Sequence, residues 1–215
     1  MFGAMAMGGA IVSILASTLA GPVSPVLDDP PDDKIVIDLV TVNGSGCPEG
    51  TAAVAVSPDN TAFTVTYSNY LAQVGVGAAP TDWRKNCQLN LIVHVPSGFT
   101  YAISSTDYRG FASLQKGASG TERAGYYFQG SPITNYASHS FAGPFADDWT
   151  TTDTTQIAEM VWAPCGALRN FNINTELRVA AGTSDVKKTT SFMAMDSTDT
   201  EFSTTYHFAW QKCPK

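Results

Sequence analysis

The sequence predicts an all-β fold, an antiparallel, jelly-roll-like β-sandwich of about ten strands, and three observations support this prediction. Apolar and polar residues alternate with period two in many segments after residue 35, which is typical of strands with one buried face. Turn-forming sequences rich in Gly, Pro, Asn and Ser separate these segments. Only 14% of the residues are charged, and hydroxyl and amide side chains supply most of the polar surface, which favours strands over surface helices.

Five alternating segments give the clearest strand predictions. Their predicted buried residues are, in chain order, Phe63, Val65, Tyr67, Leu89, Leu91, Val93, Val95, Phe99, Tyr101, Ile103, Phe171, Ile173, Leu177, Val179, Tyr206, Phe208 and Trp210. In the fourth segment the alternate positions are polar and should face solvent. These positions are Asn170, Asn172, Asn174, Glu176 and Arg178. Two segments lack the pattern: residues 69–76 are the best candidate for a short helix, and residues 143–156 for a mobile polar loop.

The chain is predicted to have three parts. Residues 1–20 are apolar and uncharged and precede a Gly-Pro pair, which indicates a cleaved export signal, although no Lys or Arg precedes the apolar run. A membrane anchor is the alternative, but the run is short and interrupted by glycine. Residues 21–34 are predicted to form an acidic, Pro-rich linker, and residues 35–215 a single β-sandwich domain. The predicted protein is secreted and extracellular, without a membrane span once the signal is removed.

Four cysteines, Cys47, Cys87, Cys165 and Cys213, lie beyond the predicted signal. An even number in an exported chain favours two disulfide bonds. Of the three connectivities, pairing Cys47 with Cys87 and Cys165 with Cys213 is favoured because it closes two separate loops of moderate length. Structural zinc is the alternative, but no pair of cysteines has the C-x2-C or C-x4-C spacing of a zinc site.

The formal net charge of −7 argues against partners that are themselves anionic. Nucleic acid binding needs a basic surface that releases counterions from the phosphates, and attraction to an anionic membrane needs a basic surface as well. Nucleic acids and membrane surfaces are therefore not expected as partners.

Eight short motifs in the predicted mature chain resemble those of one known family. They are GCPEGT at residues 46–51, VSPDNTAFTV at 56–65, RKNCQL at 84–89, YRGFA at 108–112, YYFQG at 126–130, NINTELRV at 172–179, MDST at 195–198 and YHF at 206–208. Together they make the chain similar to the domain of unknown function 4360 family, small secreted proteins of bacteria and fungi. The resemblance implies export, paired cysteines near both ends of the domain and no established activity. It brings no catalytic or ligand-binding residues to this chain.

An extracellular hydrolase acting on polymers is one functional hypothesis. The available imidazoles are His94, His139 and His207, and the chain has neither a G-x-S-x-G elbow nor an H-E-x-x-H helix. His94 and His207 are predicted at outward-facing strand positions, whereas the pattern does not determine the position of His139. Glu159 lies in a predicted apolar strand, where it should face outward or pair with Arg178. No catalytic residue is assigned, and His139 and Glu159 are the candidates if the chain is an enzyme.

Calcium is the one cofactor that the sequence suggests. Three carboxylates lie within six residues, at Asp196, Asp199 and Glu201. Calcium prefers oxygen ligands of this kind. The spacing is not that of an EF-hand, however, and an acidic turn between two strands explains the cluster equally well.

Binding of a glycan or cell-wall polymer is the favoured hypothesis. Trp83, Tyr126, Tyr127 and Trp149 are predicted in or beside loops, where flat rings can stack on sugars, and the asparagine row of the fourth segment could add hydrogen bonds. The alternative is that these rings fill the core and the asparagines are merely solvated. Asn43 begins an N-glycosylation sequon, which would be used only in a eukaryotic host.

The sequence therefore predicts a secreted, non-enzymatic domain that binds carbohydrate or the cell envelope. The alternatives are the extracellular hydrolase and a structural surface protein that self-assembles through its sheet edges. The oligomeric state is not predicted.

Overall fold

The computed structural model describes residues 27–131, 135–195 and 203–214, so the predicted signal at residues 1–20 lies outside it. The described part of the chain has twelve strands, against about ten expected, and one 3₁₀ turn at Ile157–Glu159. The strands are β1 Val36–Asn43, β2 Ala52–Val56, β3 Ala62–Tyr67, β4 Leu71–Gly75, β5 Arg84–His94, β6 Phe99–Leu114, β7 Ser119–Phe128, β8 Asn135–Ala142, β9 Phe145–Thr154, β10 Asn170–Ala180, β11 Thr190–Ala194 and β12 Ser203–Lys212. Within the described ranges, no helical segment has the length and hydrophobicity needed to span a bilayer.

The strands form two antiparallel sheets that share one core. The five-stranded sheet has the order β1-β5-β10-β7-β8. The seven-stranded sheet has the order β2-β3-β12-β6-β11-β4, and β9 also pairs with β6. Strand β6 has 16 residues, which is long enough to pair with β12, β11 and β9. The predicted antiparallel β-sandwich is confirmed.

Aromatic rings fill much of the space between the sheets. Tyr101 of β6 meets Phe128 and Phe171 of the opposite sheet, with ring centroids 5.4 and 6.3 Å apart. All the predicted buried residues are at most 8% exposed, except Val95 and Phe99, which are half-buried. Because burying one large apolar side chain contributes roughly 1.5–3 kcal/mol, this shared core is the main source of stability.

Both disulfide bonds have the favoured connectivity. Cys47 and Cys87 are 0% and 1% exposed and join the β1–β2 connection to β5. Cys165 and Cys213 join the β9–β10 connection to the residue that follows β12. The two bonds therefore lie in separate parts of the chain, and no cysteine is free.

The described end of the acidic segment before β1 is attached to the domain. The backbone N–H of Asp28 donates to the carbonyl of Trp210 at 2.9 Å, and the Asn60 amide donates to the carbonyl of Pro31 at 2.8 Å. Ile35 is fully buried. Residues 27–35 thus contribute to the domain through backbone hydrogen bonds as well as through one core side chain.

The short helix expected at residues 69–76 is wrong. Residues Leu71–Gly75 form β4, which pairs with β11 over five positions. Ala72 is fully buried, and the backbone N–H of Gln73 donates to the carbonyl of Asp82 at 2.8 Å. A strand of five residues contains too few alternations to be distinguished from other structures by its pattern.

The mobile loop expected at residues 143–156 is also wrong. Residues Phe145–Thr154 form β9, which pairs with β6 over ten positions. Trp149 is 3% exposed and packs over Gly110, where an added Cβ would lie 2.5 Å from the indole ring. The inward-facing Asp153 is as polar as its outward-facing neighbours, so the strand shows no apolar alternation.

Candidate functional site

The outer face of the five-stranded sheet is polar across β5, β10, β7 and β8. Its side chains come from the positions that alternate with the core residues of these strands. They are Arg84, Asn86, Gln88, Asn90, Thr121, Arg123, Tyr127, Tyr136, Ser138, Asn170, Asn172, Asn174, Glu176 and Arg178. We refer to this surface as the polar face.

A row of amides runs across the middle of the polar face. Asn90 donates to the amide oxygen of Asn172 at 2.8 Å and accepts from the amide of Asn170 at 2.6 Å. Each of these amide groups keeps an N–H that its neighbours do not use, because an NH₂ group has two donors. Asn174 and Gln88, which pair across β10 and β5, have no side-chain hydrogen bond within the described ranges. The row therefore presents oriented donors and acceptors to a ligand.

The arginine end of the polar face consists of Arg84, Arg123, Arg178 and Glu176, lies next to this row and is built around Glu176. The expectation that Glu176 is solvent exposed is wrong, because it is only 9% exposed. Arg84 and Arg178 form ion pairs with its two carboxylate oxygens and cover it, while their own side chains stay 43% and 47% exposed. One carboxylate thus holds two guanidinium groups at the surface.

An exposed ring stands at the edge of the polar face. Tyr136 is 57% exposed, and the guanidinium carbon of Arg123 lies 4.7 Å from its ring centroid, which is a cation–π contact. In the strand register Tyr136 is opposite Gly125, and Gly125 is opposite Asn174. Because glycine has no side chain, a depression separates the ring from the amide.

Within the described ranges, three open depressions follow the polar face. One of about 350 Å³ lies over the amide row and is bordered by Tyr127. Another, of about 240 Å³, lies between Asn174 and Tyr136. The third, of about 440 Å³, lies between Tyr136 and Arg178, and Arg123 borders both of the last two. The depressions form a shallow surface suited to an extended ligand.

The structure separates the four aromatic residues predicted to bind a ligand. Trp149 and Tyr126 are 3% and 8% exposed, and both face the core. Trp149 lies in the middle of β9, so the prediction that it lies in or beside a loop is wrong. Trp83 is 46% exposed and immediately precedes β5. Tyr127 is half-buried on the polar face, opposite Asn172. Of the four, Tyr127 therefore lies with the amide row.

A second concave site, the edge cleft, lies beside the inner faces of β8 and β9. It has a volume of about 420 Å³, and its lining includes Tyr108, Asp153 and Glu159. His139 contacts Asp153 through Nε2 and Oδ1 at 2.9 Å, so both predicted catalytic candidates lie at or beside this cleft. Glu159 is exposed in the 3₁₀ turn, so the strand expected at this position is wrong. Arg178, which was expected as a partner of Glu159, forms an ion pair with Glu176 instead.

A buried acid lies behind the edge cleft. Glu122 on β7 is opposite His139 in the register, is 0% exposed, and has no hydrogen-bond partner for either carboxylate oxygen among the described residues. Burial, with a contribution from the Asp153 carboxylate, raises the pKa of Glu122 to about 8. The sequence pattern missed it because Thr121 and Arg123 beside it are also polar.

The two other histidines occupy the outward positions that were predicted. His94 Nε2 lies 2.8 Å from Asp38 Oδ2 on the five-stranded sheet. His207 Nε2 lies 2.8 Å from Asp107 Oδ2 on the seven-stranded sheet. Neither residue belongs to the polar face or to the lining of the edge cleft.

The proposed calcium cluster, Asp196, Asp199 and Glu201, lies outside the described residues. Within the described ranges, no group of three or more His, Cys, Asp or Glu residues is placed to hold a metal ion. Asn43, the glycosylation candidate, is exposed at the end of β1.

A family model described as "Domain of unknown function (DUF4360)" matches residues 33–213. The chain belongs to this family. The DUF4360 chain is 39% identical to an "Uncharacterized secreted protein" of Arthroderma benhamiae over 184 residues. This alignment covers 86% of this chain and 74% of the relative. The resemblance carried by the short motifs is thus confirmed.

Among solved structures, the DUF4360 chain is similar to the enzymatically active domain of bacteriophage CBA120 tailspike protein 4. The TM-score is 0.25 and the sequence identity 14%, with 80% of this chain and 19% of the other covered. The chain thus spans about a fifth of that structure's length, and a likeness at this level carries no argument about function.

From the amino-acid sequence, the β10 residues and Tyr127 were the polar-face residues identified in this DUF4360 chain. The asparagines of β10 were identified by alternation, and the same signal was available on β5, where Asn86, Gln88 and Asn90 alternate with buried residues. Arg123 and Tyr136 were missed because their strands lack a clear apolar row. Only the pairing of β7 with β8 brings these two side chains together.

Proposed function

We propose that this DUF4360 domain is secreted and binds a polysaccharide along its polar face. The observation that carries the proposal is the placement of the amide row on the same surface as Tyr127 and Tyr136. Aromatic rings stack on the C–H faces of sugars, while amides both donate to and accept from hydroxyl groups. Secretion is supported by the two disulfide bonds and by the relative described as secreted.

The shape of the polar face supports a polymer as the ligand. Neighbouring strands in a sheet lie roughly 4.8 Å apart, so the four strands β5, β10, β7 and β8 span about 14 Å. The three depressions are open and follow one another across this distance. A small molecule would need a deeper, mainly apolar pocket, whereas a chain of sugars can lie across a shallow polar surface.

The proposal predicts that the double variant Asn90→Ala/Asn172→Ala loses about tenfold in glycan affinity, because two amides that face the sugar are removed together. Tenfold corresponds to about 1.4 kcal/mol, a reasonable sum for two exposed hydrogen bonds. A glycan array identifies the ligand, and calorimetry measures the affinity. Asn69→Ala, which removes an exposed asparagine between β3 and β4, is the matched control.

Two results would contradict glycan binding by the polar face. One is the absence of binding by the wild-type protein across neutral and acidic glycans. The other is an equal loss of affinity in Asn69→Ala and in the double variant, since that would show a general effect on the fold. Large particles in size-exclusion chromatography, together with no glycan binding, would favour self-assembly instead.

A second candidate function is hydrolysis of an extracellular polymer at the edge cleft. The observation that favours it is that Asp153, paired with His139, and Glu159 belong to one concavity. Two carboxylates and an imidazole are groups that general acid–base catalysis uses. If the cleft is catalytic, turnover of a bound polymer should fall at least a hundredfold in Asp153→Asn. Asn69→Ala should retain full turnover, and a wild-type protein without turnover would exclude this function.

A further inference from the structure

The arginine end concentrates positive charge in a chain whose formal net charge is −7. The chain has five arginines, and three of them, Arg84, Arg123 and Arg178, lie on the polar face. Glu176 is the one carboxylate among the polar-face residues. Three positive groups and one negative group leave this end with a local charge of +2.

The guanidinium groups are held in place with donors to spare. Glu176 is paired with both Arg84 and Arg178. Because Glu176 is buried, it does not compete with a ligand for the N–H groups that face solvent. A guanidinium has five N–H donors, so each arginine retains donors that the carboxylate does not use. Arg123 lies over the ring of Tyr136, which fixes a third guanidinium beside the same depressions.

We propose that the arginine end binds the carboxylate of a uronic acid residue in the polysaccharide, an inference that rests on the proposed glycan binding. A guanidinium matches a planar carboxylate with two parallel hydrogen bonds, which gives geometric selectivity as well as attraction. Tyr136 offers its ring to the sugar body, and Asn174 offers its amide to the hydroxyls in the same depression.

The overall charge of the protein distinguishes a uronate polymer from a densely sulfated one. Charges at the surface act over about 8–10 Å at physiological salt, so the positive region ends close to the three arginines. A polymer with several sulfates per repeat would extend beyond it and meet the acidic remainder of the chain. A single carboxylate per sugar can be placed at the arginine end without that repulsion.

The test compares each acidic polymer with its own neutral form. Polygalacturonate, alginate and a glucuronan are each measured by calorimetry beside their methyl esters, which keep the sugar backbone and remove the charge. At least one acid form should bind ten times more tightly than its ester. Raising the salt concentration from 50 to 300 mM should weaken the binding of the acid form and leave the binding of the ester unchanged. Dextran sulfate is the competing anion.

Variants then assign the preference to the arginine end. Arg123→Ala should lower the affinity for the acid form about tenfold and leave the affinity for the ester unchanged. The affinity of Arg123→Lys for the acid form should lie between those of the wild type and Arg123→Ala, because lysine keeps the charge without the planar fork. Arg109→Ala removes an exposed arginine from the outer face of the other sheet and should change neither affinity. Retained melting temperatures establish that each variant is folded.

Four outcomes would overturn the inference. Equal binding of acid and ester forms, or binding of neutral glycans alone, would refute the uronate preference and leave glycan binding by the polar face standing. Tighter binding of dextran sulfate than of all three uronate polymers would refute the carboxylate assignment. No binding of any glycan would refute both proposals.

Discussion

Replacing Glu122 with glutamine is expected to remove the loss of folding stability that this residue causes as the pH rises from 4.5 to 8. Glu122 is fully buried, and its carboxylate oxygens have no hydrogen-bond partner among the described residues. Burial and the nearby Asp153 carboxylate raise its pKa from 4.5 to about 8. The ionised form is costly in this position because it would leave a buried charge without a counterion.

The direction of the effect follows from proton uptake. Below pH 4.5 the acid is protonated in both the folded and the unfolded protein, so it imposes no penalty. Between pH 4.5 and 8 only the folded protein keeps the proton, and stability falls as pH rises. One pKa unit corresponds to 1.36 kcal/mol, so the wild-type protein should lose about 3 kcal/mol between pH 4.5 and 7 from this group. Above pH 8 the loss should level off.

Urea denaturation at pH 4, 5, 6, 7 and 8 measures this effect. Glu122→Gln should match the wild-type protein most closely near pH 4 and should exceed its stability increasingly toward pH 8. Glu49→Gln, which changes an exposed carboxyl between β1 and β2, is the control and should keep the wild-type pH profile. A Glu122→Gln profile parallel to that of the wild type would show that Glu122 ionises normally in the folded protein.

Removing either disulfide bond is expected to cost about 4 kcal/mol of folding stability. The bonds close loops of 40 and 48 residues, for which the chain-entropy relation gives nearly equal losses. A larger loss is expected for Cys47→Ala/Cys87→Ala than for Cys165→Ala/Cys213→Ala. The reason is that Cys47 and Cys87 are buried in the core, so their truncation also leaves an unfilled space.

Guanidinium denaturation of the two double variants separates these contributions. Because the loop terms are nearly equal, any difference between the variants reports the native surroundings of the sulfur atoms. Equal losses would show that the core closes around the missing sulfurs at no cost. If neither variant were destabilised, the disulfide bonds would not contribute to folding under these conditions.

The predictability of each strand depended on what its inward side contains. Strands β5, β10 and β12 were identified because large apolar residues fill most of their inward positions, as Leu89 and Leu91 do on β5. Strand β9 was mistaken for a loop because Asp153 faces inward, and the Glu122 position on β7 gave no signal for the same reason. Polar groups that face the interior remove the alternation on which strand prediction rests.

The candidate site was predictable only along single strands. Asn172 and Asn174 were assigned to a polar face from the alternation of β10, which is a local pattern. Their neighbour Asn90 is 82 residues from Asn172 in the chain, and its hydrogen bond depends on the pairing of β5 with β10. The arginine end and the ring of Tyr136 likewise required three strand pairings that no local pattern specifies.

The amino-acid sequence by itself determined the all-β class, the membership of the DUF4360 family and the two disulfide bonds, since each follows from alternation, short motifs or cysteine order along the chain. Only the tertiary structure decided which polar side chains are buried and which converge. Glu176 is sheltered by Arg84 and Arg178, and Glu122 is enclosed between the two sheets. Burial and convergence depend on neighbours supplied by distant segments, and those neighbours are set by strand order and register in space.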